Sequence, residues 1–135
     1  MVRSTTVTRT TGETDIKIEL NIAGKGNCKV DTGIGFFDHM LNSFVRHGMF
    51  DANIKAKGDL EVDCHHLIED TGIVLGQAIK EACGDKKQIK RFGDIILPMD
   101  DALVLCAIDF SGRPYLSFDA NFTNERVGYF DRCIV

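Results

Sequence analysis

The segment that decides the first half of the fold is Ile16-Lys17-Ile18-Glu19-Leu20-Asn21-Ile22. Its apolar residues stand at every second position and alternate with charged or polar ones, which is the period of a β-strand with one buried face. Residues 51–57 repeat this alternation, and Val7 to Thr10 predict a shorter strand near the N-terminus. Together these segments predict a sheet that covers one side of a hydrophobic core.

Two other segments follow the period of a helix. In the first, apolar residues recur three and four positions apart, with His47 in the last turn and Gly48 as the C-terminal stop. In the second, from about His65 to Cys83, apolar residues recur at the same spacing until Gly84 ends the pattern. The apolar positions are Phe36, Phe37, Met40, Leu41, Phe44 and Val45, then Ile68, Val74 or Leu75, Ile79 and Ala82.

The remainder of the chain predicts a second set of elements. Polar residues 84–90 predict a connector, and residues 103–108 and 115–122 predict two strands around the turn Ser111-Gly112-Arg113-Pro114. The predicted order is β-β-α-β-α and then β-β. We expect an α+β fold of tandem β-β-α-β-α halves, each a sheet covered by helices. Residues 1–90 would form the first half, and residues 91–135 the start of an incomplete, apparently truncated second half.

The composition of the 135-residue chain argues against several classes of protein. Hydrophobic residues make up 44% and charged residues 27%, as in ordinary globular domains, and the net charge of -4 provides no basic surface for nucleic acid. No apolar run approaches the roughly 20 residues that span a bilayer, and the N-terminus does not resemble a signal peptide. Five cysteines without C-x-x-C spacing favour a reducing cytoplasm.

The densest group of potential ligands is Asp63-Cys64-His65-His66-Leu67-Ile68-Glu69-Asp70. On a helix, Glu69 lies four positions after His65 and three after His66, so its carboxylate can share a face with either imidazole. Imidazole and carboxylate together suit zinc, manganese or iron. The alternative is a polar helix start, with Asp63 as the cap and acidic residues near the positive end of the helix dipole.

Four further residues have both a functional and a structural interpretation. His39 lies among apolar residues of the first helix, where a histidine is more often a core residue than a ligand. Arg91 and Arg113 could clamp a phosphate, because guanidinium groups bind oxyanions in a bidentate manner, but their spacing equally fits surface charges. Glu13 is similarly ambiguous. The residues alone therefore predict a histidine and glutamate metal site and arginines that could contact an anion.

At these residues the sequence strongly resembles the imidazoleglycerol-phosphate dehydratase family. The matching segments occur in family order across roughly residues 3–131, and many segments in order are far more specific than any single one. They are Arg9-Thr10-Thr11-Gly12-Glu13-Thr14, Thr32-Gly33-Ile34-Gly35-Phe36-Phe37-Asp38-His39-Met40-Leu41, Arg46-His47-Gly48, His65-His66-Leu67-Ile68-Glu69-Asp70, Arg91-Phe92-Gly93-Asp94, Pro98-Met99-Asp100, Asp109-Phe110-Ser111-Gly112-Arg113-Pro114-Tyr115 and Arg126-Val127-Gly128.

The resemblance implies a metal-dependent hydro-lyase, a lyase of histidine biosynthesis and so of amino-acid biosynthesis. Its substrate would be the phosphorylated imidazole compound imidazole glycerol phosphate, which loses water to give imidazole acetol phosphate. The resemblance also implies a fold of two similar α+β halves. It implies a large homo-oligomer, with twenty-four subunits in the family and active sites at subunit contacts. Neither nucleic acid nor a membrane is an expected partner.

The resemblance also implies roles for individual residues. Two Mn2+ ions per complete site would be bound by histidines and glutamates from the H-H-x-x-E motif of each half. The matching metal ligands here are His39, His65, His66 and Glu69. Glu13 matches a catalytic, substrate-contacting carboxylate near the reacting carbons. Arg91 and Arg113 match residues that hold the substrate phosphate.

The end of the sequence departs from the family pattern. The family continues into helices and a second H-H-x-x-E motif, whereas this sequence ends Arg132-Cys133-Ile134-Val135. We therefore expect the 135-residue form to have little or no activity. Two alternatives remain open for the function. One is a non-catalytic metal-binding or assembly subunit, and the other is a metal-dependent hydrolase that uses the same ligands.

Overall fold

A computed structural model of the protein describes residues 3–120, 122, 126–128 and 130–131. The elements in this described part are β1 (Ser4–Thr10), β2 (Thr14–Asn21), β3 (Cys28–Asp31), α1 (Gly35–His47), β4 (Asp51–Gly58), α2 (His65–Cys83), β5 (Phe92–Met99), β6 (Ala102–Asp109), β7 (Arg126–Val127) and β8 (Phe130–Asp131). The predicted α+β class is confirmed. The segment Arg132-Cys133-Ile134-Val135 lies outside the described residues.

The chain divides into two compact units. The first contains residues 1–85 together with residues 122–135, and the second contains residues 86–121. The predicted boundary between residues 90 and 91 stays a prediction, because a division into compact units does not test where a repeated half begins.

The first unit is a four-stranded sheet of order β1-β2-β4-β3 with both helices packed against it. β2 is antiparallel to β1 and β4, while β3 runs parallel to β4. In the register of the central pair, Ile18 lies opposite Ile54, and both side chains are fully buried. Burying a side chain of this size stabilises the fold by roughly 1.5–3 kcal/mol. The alternation read from residues 16–22 therefore identified the core face of the sheet correctly.

The boundaries of both helices agree with the sequence pattern. In α1, Leu41 and Val45 are buried, and the backbone N–H of Gly48 closes the last turn on Phe44 O at 2.9 Å. In α2, Leu67 and Val74 are buried and Gly84 follows the helix with a φ of 53°. Glycine adopts this left-handed conformation without the steric cost that a Cβ atom brings.

The sequence pattern missed β3, so the order up to α2 is β-β-β-α-β-α rather than β-β-α-β-α. β3 has only four residues, and Cys28 and Val30 are half-buried at the edge of the sheet. Two apolar positions are too few to establish an alternation. Its pairing is set by contact with β4, which lies more than twenty residues further along the chain.

The second unit is a hairpin of β5 and β6, eight residues each, joined through Asp100 and Asp101. The prediction of a strand at residues 115–122 is wrong, because the described residues of that range, 115–120 and 122, form none. β6 pairs instead with the preceding segment, since the two-residue turn requires no long connection. Asp100 has a φ of 52°, which aspartate tolerates better than most residues.

Candidate active site

The first turn of α2 presents the predicted ligands on its solvent side. Leu67 and Ile68 are buried against the sheet, which leaves His65, His66 and Glu69 exposed. The backbone N–H of His65 donates to Asp63 Oδ1 at 2.7 Å. The aspartate thus satisfies a free N–H group of the helix start, as its position in the sequence predicted.

His65 and Glu69 are in contact, as the four-residue spacing predicted. The distance from His65 Nε2 to Glu69 Oε2 is 3.1 Å, and both side chains are more than half exposed. An imidazole and a carboxylate on one face of a helix provide two donor groups of the kind that manganese, iron and zinc accept. The pair is open to solvent, so a further ligand or substrate could approach it.

His66 points to a partner that the sequence did not reveal. Its Nδ1 atom lies 2.9 Å from Asp59 Oδ2, in the loop before α2. A carboxylate only accepts hydrogen bonds, so Nδ1 carries the proton and Nε2 remains available as a donor to a metal ion. The Asp59 hydrogen bond and charge raise the pKa of His66, and the charge of Glu13 adds to the effect.

Asp59 is held in an electrostatically costly position. Its other carboxylate oxygen, Oδ1, is buried and has no hydrogen-bond partner within the described part of the chain. An unsatisfied buried acceptor costs free energy, so it calls for a physical reason. A carboxylate that fixes the tautomer of a metal-binding histidine is such a reason, because ligating histidines usually donate their second N–H to a carboxylate or carbonyl.

His39 lies on α1, separate in sequence from the other three predicted ligands, and its side chain is exposed rather than part of the core. Its neighbour Asp38 accepts hydrogen bonds from the backbone N–H and the hydroxyl of Thr32, at 3.0 and 2.6 Å. Asp38 therefore secures the start of α1. Among the residues that the structure describes, no three histidine, cysteine or acidic side chains come close enough to hold a metal ion. The four-ligand assignment thus stays a prediction.

Glu13 lies in the short turn between β1 and β2, and its side chain is exposed. Its backbone N–H donates to the hydroxyl of Thr11 at 3.2 Å. The next residue, Thr14, donates through Oγ1 to Asp70 Oδ2, so the turn that carries Glu13 lies beside α2 near its start. The structure therefore places this predicted catalytic residue near the H-H-x-x-E motif.

The two predicted phosphate contacts belong to the second unit. Arg91 donates from Nε and Nη2 to the two carboxylate oxygens of Asp109, at 2.7 and 3.2 Å, and its guanidinium lies 4.9 Å from the ring centre of Phe92. This pairing holds the pKa of Asp109 below its ordinary value. Arg113 is exposed and lines an open groove together with Asp109 and Tyr115. Asp109 thus pairs with Arg91 and lines the same groove as Arg113, a placement that the sequence did not predict.

Comparison with known proteins addresses the family directly. The model of the imidazoleglycerol-phosphate dehydratase family matches residues 32–135, which include both helices and the H-H-x-x-E motif. The chain belongs to the imidazoleglycerol-phosphate dehydratase family. Since the matched range covers more than half of the chain, the resemblance carried by the sequence segments is confirmed.

Individual relatives agree with this family. The chain is 60% identical over 128 residues to the imidazoleglycerol-phosphate dehydratase of Acetivibrio thermocellus, covering 95% of this chain and 66% of that protein. It is 58% identical over 135 residues to the enzyme of Lachnoclostridium phytofermentans, covering 100% of this chain and 69% of that protein. The chain therefore spans about two thirds of the length of these curated dehydratases.

Solved structures of dehydratases share the fold. The crystal structure of the Staphylococcus aureus dehydratase matches with a TM-score of 0.84 and 39% identity, over 97% of this chain and 71% of that one. The Pyrococcus furiosus dehydratase, solved in complex with (S)-C348, matches with a TM-score of 0.73 and 41% identity, over 90% of this chain and 64% of that one. Neither helix in the described part of the chain is long and apolar enough to cross a membrane.

Proposed function

We propose that this chain acts in histidine biosynthesis as an imidazoleglycerol-phosphate dehydratase, removing water from imidazole glycerol phosphate to give imidazole acetol phosphate. The observation that carries the proposal is the first turn of α2. There Asp59 fixes the proton of His66 on Nδ1, beside a contacting His65 and Glu69, in a chain of the dehydratase family. This arrangement prepares imidazole nitrogens for a metal ion rather than for the protein core.

The donor set fits a divalent transition metal, and the implied cofactor is Mn2+, two ions per complete site. The metal ions would be bound by His39, His65, His66 and Glu69, and the donor atom of His66 would be Nε2. Because no described group of three such residues is close enough to form a site, we infer that other residues complete the coordination. When bound, the metal would act as a Lewis acid that favours the electron-rich form of the substrate imidazole.

The remaining residues of the site would bind the substrate and move a proton. The reaction removes a hydrogen from one carbon and a hydroxyl from the next, and the resulting enol rearranges to a ketone. Glu13 is the base that we propose for the carbon-bound hydrogen, since its turn is hydrogen-bonded to α2 through Thr14 and its side chain is exposed to solvent. Arg113 and the remaining N–H groups of Arg91 would hold the phosphate and so orient the reacting carbons.

We also propose that the protein works in the cytoplasm as a large homo-oligomer. Among the described residues, Cys28, Cys64, Cys83 and Cys106 form no disulfide with one another, which supports a reducing compartment. The exposed and incomplete ligand set supports an assembly, because residues from another copy would complete it.

The test is manganese-dependent formation of imidazole acetol phosphate by the purified protein, supplied with the remaining third found in the curated dehydratases. His65→Ala and His66→Ala should each abolish stoichiometric Mn2+ binding and turnover, because each removes an imidazole donor. His47→Ala, at the exposed end of α1, is the matched control and should leave both unchanged. Unchanged metal content in both site variants would contradict the ligand assignment.

The same assay separates the alternatives. Release of inorganic phosphate without loss of water would indicate a metal-dependent hydrolase. Stoichiometric Mn2+ binding without any turnover would indicate a non-catalytic metal-binding or assembly subunit.

A further inference from the structure

Arg9, Thr14 and Asp70 belong to the family segments but have no role in the site described above. They come together where the β1–β2 turn meets α2. Thr14 Oγ1 donates to Asp70 Oδ2 at 2.5 Å, and Arg9 Nε donates to Asp70 Oδ1 at 3.2 Å. One carboxylate on the helix thus binds the residues on both sides of the turn that contains Glu13.

The hydrogen bonds of this turn are linked in series, and each hydroxyl in the series can donate in only one direction. The Thr14 hydroxyl has a single proton, which it donates to Asp70, so the 3.0 Å contact between the Thr11 and Thr14 hydroxyls must be donated by Thr11. The Thr11 oxygen in turn accepts the backbone N–H groups of Glu13 and Thr14, at 3.2 and 2.9 Å. The Glu13 N–H therefore donates to Thr11, the Thr11 hydroxyl donates to Thr14, and the Thr14 hydroxyl donates to Asp70.

Burial makes this chain rigid at its centre. Thr14 is only 3% exposed and the Asp70 side chain 14%, whereas the Arg9 side chain is 44% exposed. A buried hydroxyl and a mostly buried carboxylate exchange hydrogen bonds with water poorly, so each depends on the other. The turn is also closed by its own backbone, since Thr11 N donates to Thr14 O at 2.8 Å.

We infer that Asp70 is a positioning residue that acts through Thr14 and Thr11 to fix Glu13 relative to the helix that carries His65 and His66. The inference rests on the proposed function, in which Glu13 moves a proton. Asp70 directly follows Glu69 in the chain, so the same turn of α2 that presents the metal donors also anchors the base. Correct spacing between the two groups then depends on one short hydrogen-bonded path.

A purely structural role would be to tie the sheet to α2, and the fold offers a control bond for it. At the other end of the helix, on the neighbouring strand β1, the Thr5 hydroxyl donates to Glu81 Oε2 at 2.7 Å. This bond also joins a threonine hydroxyl of the sheet to a carboxylate of α2, but it lies outside the turn that contains Glu13. Thr5→Val therefore removes a strand-to-helix bond of the same type without touching the turn.

The decisive variants are Thr14→Val, which keeps the shape but removes the hydroxyl, and Thr14→Ser, which restores the hydroxyl. In the manganese-loaded protein, supplied with the remaining third found in the curated dehydratases, Thr14→Val should lower kcat by roughly 10- to 100-fold, as expected for a displaced catalytic group. KM and Mn2+ stoichiometry should stay unchanged, because neither the arginines nor the histidines are altered. Thr14→Ser and Thr5→Val should keep the kcat of the wild type.

A second measurement does not depend on catalysis. Amide hydrogen exchange at Glu13, followed by NMR, should accelerate in Thr14→Val but not in Thr5→Val. Only Thr14→Val removes the hydroxyl that holds the Thr11 side chain in place, and the Thr11 oxygen is the acceptor of the Glu13 N–H. Equal exchange in the two variants, or an equal loss of kcat in both, would overturn the positioning role. A wild-type protein that is supplied with the remaining third and exchanges as expected, but forms no imidazole acetol phosphate, would instead overturn the proposed function while leaving the hydrogen-bonded path supported.

Discussion

His66 and Asp59 are joined by a 2.9 Å hydrogen bond that determines which nitrogen of the imidazole remains free. Because the carboxylate accepts the Nδ1 proton, Nε2 is left as the donor for a ligand. The same bond raises the pKa of His66 above its ordinary value. A residue outside the H-H-x-x-E motif thus controls the chemistry of a residue inside it.

Asp59→Asn should weaken Mn2+ binding by about 10- to 100-fold, the usual consequence of removing a partner that orients a ligating histidine. The amide can still occupy the space, but it offers His66 a weaker acceptor. Titration of the protein with Mn2+, followed by calorimetry, measures the change. Glu61→Gln is the control, since this exposed carboxylate lies two residues further along the same loop. Equal affinity in both variants would exclude the orienting role.

The part of the site that the sequence could predict is the part governed by helical periodicity. His65 and Glu69 lie one turn apart in the chain, so their contact follows from the repeat of the helix alone. Asp59 reaches His66 from an irregular loop, where no period relates sequence spacing to direction. The same is true of Asp109, which binds Arg91 across a hairpin whose register only the folded chain defines.

The fold was predictable for similar reasons. The alternation in β2 and the apolar spacing in α2 each extend over enough residues to identify an element and its buried face. β3 is too short for such a pattern. β5 was missed because Gly93, Asp94 and Pro98 interrupt its apolar run, and all three are unusual inside strands.

In a full-length version, Arg113→Ala should weaken productive binding of the phosphorylated substrate by roughly 1–3 kcal/mol, the range of a charge-assisted hydrogen bond. Arg113 is exposed in its groove, so the free protein loses no buried contact with the substitution. Binding of the substrate and of an analogue without the phosphate should be compared by calorimetry. An equal loss for both compounds would mean that the arginine supports the fold instead.

Acid should destabilise the first unit through Asp51. The backbone N–H groups of Lys25 and Asn27 donate to Asp51 Oδ1, both at 2.9 Å, and hold the pKa of this carboxyl below its ordinary value of 3.8. A carboxyl whose pKa is lowered by folding stabilises the protein above its unfolded pKa, and this contribution disappears as the pH falls through the folded pKa. The effect is therefore present at neutral pH and lost below about 4.

Asp51→Asn tests this directly. Its free energy of unfolding should be lower than that of the wild type at pH 7, and the two proteins should converge as the pH falls below about 4. Urea unfolding at several pH values measures the difference. Asp31→Asn, at the exposed end of β3, controls for the loss of one negative charge. A difference for Asp51→Asn that does not change with pH would contradict this account.

The β5–β6 hairpin should make a polypeptide of residues 1–135 associate. Val104 and Ile108 are 56% and 51% exposed, as are most of the apolar side chains around them, so both faces of the hairpin present apolar surface to water. Exposed apolar strands pair with one another readily. Size-exclusion chromatography should show oligomers or aggregates, and Val104→Lys should reduce them. Thr8→Lys, on the exposed side of β1, should leave the elution profile unchanged.

The same polypeptide of residues 1–135, tested without any further segment, should have little or no dehydratase activity. Of the four predicted ligands, the described residues hydrogen-bond only His65 to Glu69, and no described group of three histidine, cysteine or acidic side chains forms a site. Water would fill the remaining coordination positions, so Mn2+ would bind weakly and the substrate imidazole would be poorly activated.

Arg91 and Arg113, which would orient that substrate, belong to a hairpin unit whose apolar residues are largely exposed, so the phosphate site should also be loosely held. Manganese-dependent formation of imidazole acetol phosphate by the purified polypeptide decides the matter. Supplying the remaining third found in the curated dehydratases, by fusion or co-expression, should restore turnover. Activity of residues 1–135 equal to that of a full-length relative would show that the catalytic set is complete without a second H-H-x-x-E motif.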